Sequence, residues 1–302
     1  MIWDALIACY LFLAGMGAGA FALGAIAGWG KDPALTMKKV GFIVGPVAVA
    51  VGTLLLVVDA HAGLQNPLRF FYLITNLNSV MAWGVIILSV FLVVAVIDLA
   101  LLLVKKETPK WLDGIGVALA LCVAAYTGVL LGDAGAAFPL WNMAVLPVLF
   151  VVSAASTGIA VVALATHLLA PAEVGRVALL KRAGLVLPLV EGALVIVLLA
   201  VTAGAPGSAA AAGQASVAAL VSGPYAVAFW LGFVVVGLAL PFALELVRAR
   251  KGAAAPERSV GADVAHDGSG KTLALVGDAG VLVGGFMLRY LVVMAALPVA
   301  FM

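Results

Sequence analysis

Residues 126–142, "YTGVLLGDAGAAFPLWN", lie where one apolar run ends and the next begins. The stretch has a tyrosine inside the first run, one acid (Asp133), and then Pro-Leu-Trp-Asn in place of an ordinary polar loop. Outward from it, apolar segments of about 20 residues recur along nearly the whole chain, long enough to cross a hydrocarbon core about 30 Å thick. Of 302 residues, 66% are hydrophobic and 10% charged. A soluble protein of this length needs far more charge to cover its surface, so the fold expected is all-α and polytopic, integral to the membrane.

Breaks at Gly30–Lys39, Asp59–Asn78, Lys105–Asp113, Gly132–Trp141, Ala170–Arg182, Gly204–Pro224 and Arg248–Lys271 leave eight segments, near 5–29, 40–59, 79–104, 112–131, 143–169, 183–203, 225–247 and 272–299. The first has no basic leader and no small-residue cleavage pattern, so it reads as a retained span. Of 16 Lys and Arg, 14 fall on odd-numbered connections; the others are Arg69 and Arg289. Positive charge stays in the cytoplasm, which places the odd connections inside and both termini outside. Trp3, Trp29, Trp111 and Trp141 fall near span ends, where indoles favour the headgroup layer. Trp141 is expected to be such an anchor, with Pro139 beginning the next helix. The stretch 248–271 reads as a flexible cytoplasmic linker, and 203–224 as a short helix on the outer surface.

Two cysteines, Cys9 and Cys122, are too few for an iron–sulfur cluster, which takes about four thiolates. The three histidines lie at different depths: His61 outside, His167 at the inner end of the fifth span, His266 in the linker. They offer no pair for a bis-histidine haem. In "GMGAGAFALG" (15–24) the glycines lie inside an apolar helix with no preceding strand, which speaks for close helix packing rather than a dinucleotide site.

Ionisable groups within spans are costly and point to function. Asp98, Glu245 and Asp278 are shallow on the inner side, either reaching the interface or belonging to a proton path. Glu191, nine residues past Arg182, is about 13 Å deep and needs a partner, with Arg289 or water the candidates; the pair is structural or part of a relay. Asp59 and His61 stand at the outer end of the second span. Tyr10 and Tyr126 are either interfacial aromatics or hydrogen-bond donors to a bound group.

Four stretches, "YLFLAGMGAGAF" (10–21), "VVDAHAGLQNPLRFFYLITNLNSVMAWG" (57–84), "YTGVLLGDAGAAFPLWNMAVLPVLFVVSAASTG" (126–158) and "GGFMLRYLVV" (284–293), resemble the NrfD/polysulfide-reductase family of membrane anchor subunits. The resemblance implies two four-helix bundles, 1–135 with a quinone site and 136–302. It implies a haem-free subunit, without its own cluster, that exchanges electrons between menaquinone or ubiquinone and an iron–sulfur subunit on the outer face. A catalytic subunit, molybdopterin-dependent in many members, would follow, all at a bacterial or archaeal cytoplasmic membrane. By the same resemblance Tyr126 matches a quinone-site residue, Tyr10 stands where polysulfide reductase has a site histidine, and Asp59 or His61 matches the site acid. Proton translocation would run through Glu191, Asp98, Glu245, Asp278 and Arg289. The rival class is a secondary transporter without redox role, against which stands the lack of an inverted repeat between the halves. Nothing in the composition suggests nucleic acid as a partner.

The charge asymmetry has a direct test. Green fluorescent protein fused after Met302 should stay dark outside the cytoplasm, and the same protein inserted at Ala255 should fluoresce; the reverse pattern would invert the topology.

Overall fold

The computed structural model describes residues 4–30, 32–59, 76–105, 107–174, 177–254 and 267–299. Among them eight helices are long and apolar enough to cross a bilayer: span 1 (Ala5–Gly28), span 2 (Leu35–Val58), span 3 (Val80–Lys105), span 4 (Lys110–Gly132), span 5 (Leu146–Leu169), span 6 (Arg182–Ala203), span 7 (Ala228–Arg250) and span 8 (Gly270–Met294). No strand occurs among the described residues. Successive crossings put both termini and the even connections at one end, here the terminal end. The odd connections, with most of the Lys and Arg, form the basic end.

Spans 1–4 pack on one another, as do spans 5–8, and span 1 joins the two groups by lying along span 5 and touching span 8. The glycines of span 1 explain why this helix is central. Gly17 and Gly24 face Gly45 and Gly41 of span 2, where an added Cβ would come within 2.7 Å of the Gly45 carbonyl and 3.0 Å of the Gly41 Cα. Gly19 lies against the Ala154 carbonyl and Gly158 of span 5. Small residues on two faces let two backbones approach one helix, so dispersion contacts and not water exclusion hold the crossings in lipid. Asp4 caps span 1, its Oδ1 accepting from Leu6 N at 2.8 Å. Phe21 stacks on Phe42 of span 2 (centroids 4.6 Å apart) and meets Phe91 of span 3 edge-on.

Three expectations need correction. Trp141 is not an interfacial anchor: it is buried, and its Nε1 donates to the Val292 carbonyl of span 8 at 2.8 Å. Nor does Pro139 begin the fifth span, which starts at Leu146 with Pro147 in its first turn. The linker is also narrower than 248–271, because helix persists to Ala254 and resumes at Asp267. Trp111 does remain exposed at the basic end, while Trp3 lies outside the described residues. The helix expected within 203–224 is present as Ala209–Val221, with Ser216 Oγ accepting from Leu297 N after span 8.

Span 7 departs from α geometry: Ala228–Ala239 is π-helical before α geometry resumes at Leu240. Pro241 has no N–H and its ring clashes with the carbonyl four residues earlier, so a widened turn upstream relieves the conflict.

Gly158→Ala should destabilise the chain by about 1–3 kcal/mol, since overpacked helices must move apart. Its Cβ would strike the Gly19 backbone, whereas at Gly114 nothing lies within 4 Å. Gly114→Ala should be neutral or gain up to about 1 kcal/mol of helix propensity. Thermal unfolding in detergent checks the pair; equal Tm values would refute the packing argument.

Candidate functional site

Polar groups inside the spans gather in four places. At the terminal end, Tyr10 of span 1 and Tyr126 of span 4 are each about one and a half turns from their helix ends. Both are buried in the common apolar core and lie within electrostatic reach of one another. The Tyr10 hydroxyl is fully enclosed and has no hydrogen-bond partner. The Tyr126 phenol lies on Gly84 of span 3, in space that any Cβ at position 84 would fill. Asp133, just past span 4, faces Tyr126 electrostatically. An enclosed hydroxyl without a partner costs about 1–3 kcal/mol, which makes this pair suited to a guest carrying a hydrogen-bonding oxygen. Asp59 ends the helix of span 2 at this same end; its side chain and all of His61 lie outside the described residues.

Deeper in the bundle, Arg289 of span 8 is fully buried. Its Nε donates to the Leu11 carbonyl of span 1 at 3.2 Å, and its Nη1 to Ser153 Oγ of span 5 at 2.7 Å and to the Gly285 carbonyl at 3.0 Å. The guanidinium also lies over the Phe150 ring, 5.1 Å from its centroid. Gly15 makes room for Nη2, which a Cβ there would approach to 2.8 Å. Glu191 of span 6 is buried as well and interacts with both Ser153 and Arg289. Glu191 and Arg289 interact electrostatically, as expected, with Ser153 beside both; among the described residues the ion pairs closer than 4 Å are elsewhere.

At the basic end a cavity of about 820 Å³ opens among spans 5–8. It brings together Glu245, Asp278, His167, Arg248 and Lys271. Glu245 pairs with Arg248 at 2.7 Å, and Asp278 Oδ2 stands 3.5 Å from His167 Nδ1.

Asp98 is separate from these. It is fully buried in span 3, with neither carboxylate oxygen hydrogen-bonded, so it does not reach the interface. Its charged neighbours are Asp113 and Lys38. Those two form a buried pair at 2.8 Å, joined by Thr108 Oγ1 and by Trp29 Nε1, which donates to Asp113 at 3.2 Å. This polar plug closes the basic end of spans 1–4.

The residues not singled out from sequence are Ser153, Gly84, Lys38, Asp113 and the cavity role of His167. Lys38 and Asp113 fall at span ends, where charge is ordinary. Ser153 is one small hydroxyl in an apolar run, and only its depth beside Glu191 distinguishes it.

Arg289→Met should cost about 3–5 kcal/mol, because it strips Glu191 of its buried cation and removes the side-chain bonds that tie span 8 to Leu11 of span 1 and Ser153 of span 5. Adding Glu191→Gln should recover part of the loss in thermal unfolding of the detergent-solubilised chain. A single variant with the parental Tm would show that the cation does not hold the helices.

The profile of the family described as "Polysulphide reductase, NrfD" matches residues 1–255. The C subunit of polysulfide reductase from Wolinella succinogenes is 33% identical over 273 residues, spanning 82% of this chain and 83% of that protein. Protein NrfD of Escherichia coli is 31% identical over 282 residues, spanning 81% and 84%. With eight apolar spans and matches over most of both partners' lengths, this multi-pass membrane protein belongs to the NrfD/polysulphide reductase family.

Proposed function

We propose that the chain is the quinone-reactive membrane subunit of a respiratory oxidoreductase in a bacterial or archaeal cytoplasmic membrane. It exchanges electrons between menaquinone or ubiquinone and an iron–sulfur subunit docked at the terminal end, outside the cytoplasm. A catalytic subunit, of the molybdopterin type, completes the complex. Family membership supports the oxidoreductase context. The observation that carries the quinone assignment is the Tyr10–Tyr126 pair, with its enclosed, unpartnered hydroxyl.

Quinol oxidation releases two electrons and two protons, and quinone reduction takes up the same. The chain's residues supply orientation and proton handling. Tyr10 donates a hydrogen bond to one headgroup oxygen, and Tyr126, packed on Gly84, donates to it from the side of span 4. Leu131, Leu146 and Phe150 belong to the same buried apolar core. Asp133 and, by position, Asp59 stand at the terminal end, where protons pass to or from the outside. The polar plug at Lys38 and Asp113 closes the opposite end of this bundle, so proton exchange at the tyrosines is directed outward.

The test uses the complex purified from native membranes, its clusters reduced and then reoxidised by a soluble menaquinone or ubiquinone analogue. Tyr126→Phe, with assembly unchanged, should slow reoxidation about tenfold or more, the effect of losing one hydrogen bond worth about 1.4 kcal/mol to the transition state. Unchanged reoxidation would place the quinone elsewhere. A parent complex that does not react with either analogue would leave a passive anchor or a transporter.

A further inference from the structure

The cavity among spans 5–8 is graded from a charged mouth to an apolar depth, the lining expected of a site for an amphiphile. Its mouth is level with the span ends. Lys271 is one residue into span 8, Arg248 two residues from the end of span 7, and His167 two residues from the end of span 5. These positions fall in the headgroup layer of the leaflet at the basic end. Inward of the charges the lining side chains are apolar, Ile159 from span 5, Leu187 from span 6, Pro241 from span 7 and Val281 from span 8 among them, and Ser156 is the exception.

The charges of the mouth do not cancel. Glu245 accepts from Arg248 Nη1 at 2.7 Å, and Asp278 faces His167 as an ion pair at 3.5 Å, so both acids are answered. Lys271 is left over: among the described residues no carboxylate lies within 4 Å of it. One cation in excess, beside a guanidinium with five donors, suits a single phosphodiester anion. A headgroup that added an ammonium would bring a second cation to a mouth with no acid to spare.

The depth suits an acyl chain. From His167 to Ser156 the cavity follows span 5 for eleven residues, about 16 Å and so close to half of a hydrocarbon core, the reach of one leaflet's chains. Its volume, about 820 Å³, lies within the range of ligand clefts. Protein interiors keep few voids larger than a water molecule, so a space of this size has an occupant. Water needs about two to four polar partners per molecule, and inward of the ion pairs the side chains offer it Ser156. We propose that the cavity binds one anionic phospholipid from the leaflet at the basic end, its phosphodiester held by Lys271 and Arg248 and one acyl chain laid among spans 5–8 as far as Ser156. The site stands without the quinone assignment, and its test reads no electron transfer.

The test places the full complex in phosphatidylcholine vesicles that contain, as a minor component, either phosphatidylglycerol or phosphatidylcholine with a photoactivatable diazirine at the end of one acyl chain. Mass spectrometry then locates the adducts. Ile159 and Val281 report the cavity, and the exposed Val283 reports the ordinary lipid boundary of span 8. The phosphatidylglycerol probe should label both places, and the phosphatidylcholine probe the boundary alone. Lys271→Gln should lower cavity labelling by phosphatidylglycerol about fivefold, the effect of one basic residue on an anionic headgroup. Lys110→Gln, exposed at the same end on span 4, should leave it unchanged. A Cβ at Gly277 meets nothing closer than Leu244 at 3.8 Å, so Gly277→Leu should fill the cavity and abolish its labelling while Val283 still reacts. Adducts confined to Val283 would overturn the proposal, as would cavity labelling that survives Gly277→Leu. Equal cavity labelling by both probes, or a Lys271→Gln variant no different from Lys110→Gln, would overturn the choice of an anionic headgroup. If Gly277→Leu does not assemble, Lys271→Gln, a change at the mouth, still decides.

Discussion

A guanidinium with no solvent is the constraint around which the helices are arranged. Arg289 has five donors and no acceptor; in the bundle interior its Nε and Nη1 are met by other helices and by its own backbone, while Nη2 is enclosed without a hydrogen-bond partner. Span 1 supplies a carbonyl at Leu11, span 5 a hydroxyl at Ser153 and a ring face at Phe150, and span 8 the Gly285 carbonyl. These contacts fix the rotation and depth of three helices together. Glycines at 15 and 19 are their counterpart in packing, because a side chain at either would push span 1 away from the cation or from span 5. Charge satisfaction and close approach therefore specify the same geometry, which is the consistency expected of a sequence with one native arrangement.

The two bundles differ in how they treat polar groups. In spans 1–4 the basic end is sealed by the Lys38–Asp113 pair with Thr108 and Trp29, and the unpartnered groups are Tyr10 near the opposite end and Asp98 just inside the seal. In spans 5–8 the basic end is open and lined with ionisable side chains. Arg289 lies where these two regions meet, one bond from Leu11, the neighbour of Tyr10, and one bond from Ser153 on the cavity side. A change of charge at either site is felt by the same guanidinium, since little water intervenes to screen it.

Much of this was legible in the chain. Span number follows from apolar length, which is a one-dimensional property. The in-membrane positions of Glu191, Arg289 and Asp98 were also plain, because an acid in an apolar run is conspicuous. Apart from Arg289 for Glu191, their partners were not. Ser153 looks like any small residue of span 5, and Trp141 looks like a belt tryptophan until the fold carries its indole to Val292, 151 residues away. The π-helical part of span 7 was hidden too: Pro241 marks a disturbance, but hydropathy does not say that the helix widens instead of kinking. Pairings between distant helices depend on rotation about helix axes, and a chain that is apolar on every face gives no periodicity from which to read it.

One contact bears on the order in which the protein is made. The first turn of span 2 has its free N–H groups met by Glu173, whose carboxylate accepts from Thr36 N at 2.8 Å and Met37 N at 3.4 Å and also takes the Thr36 hydroxyl. A helix start left bare is destabilised by its unmet donors. Here the cap comes from the short helix Pro171–Val174 that follows span 5. During synthesis, span 2 therefore waits uncapped until 137 further residues have been translated. The start of span 2 therefore takes its final form only after span 5 and the short helix behind it have been made.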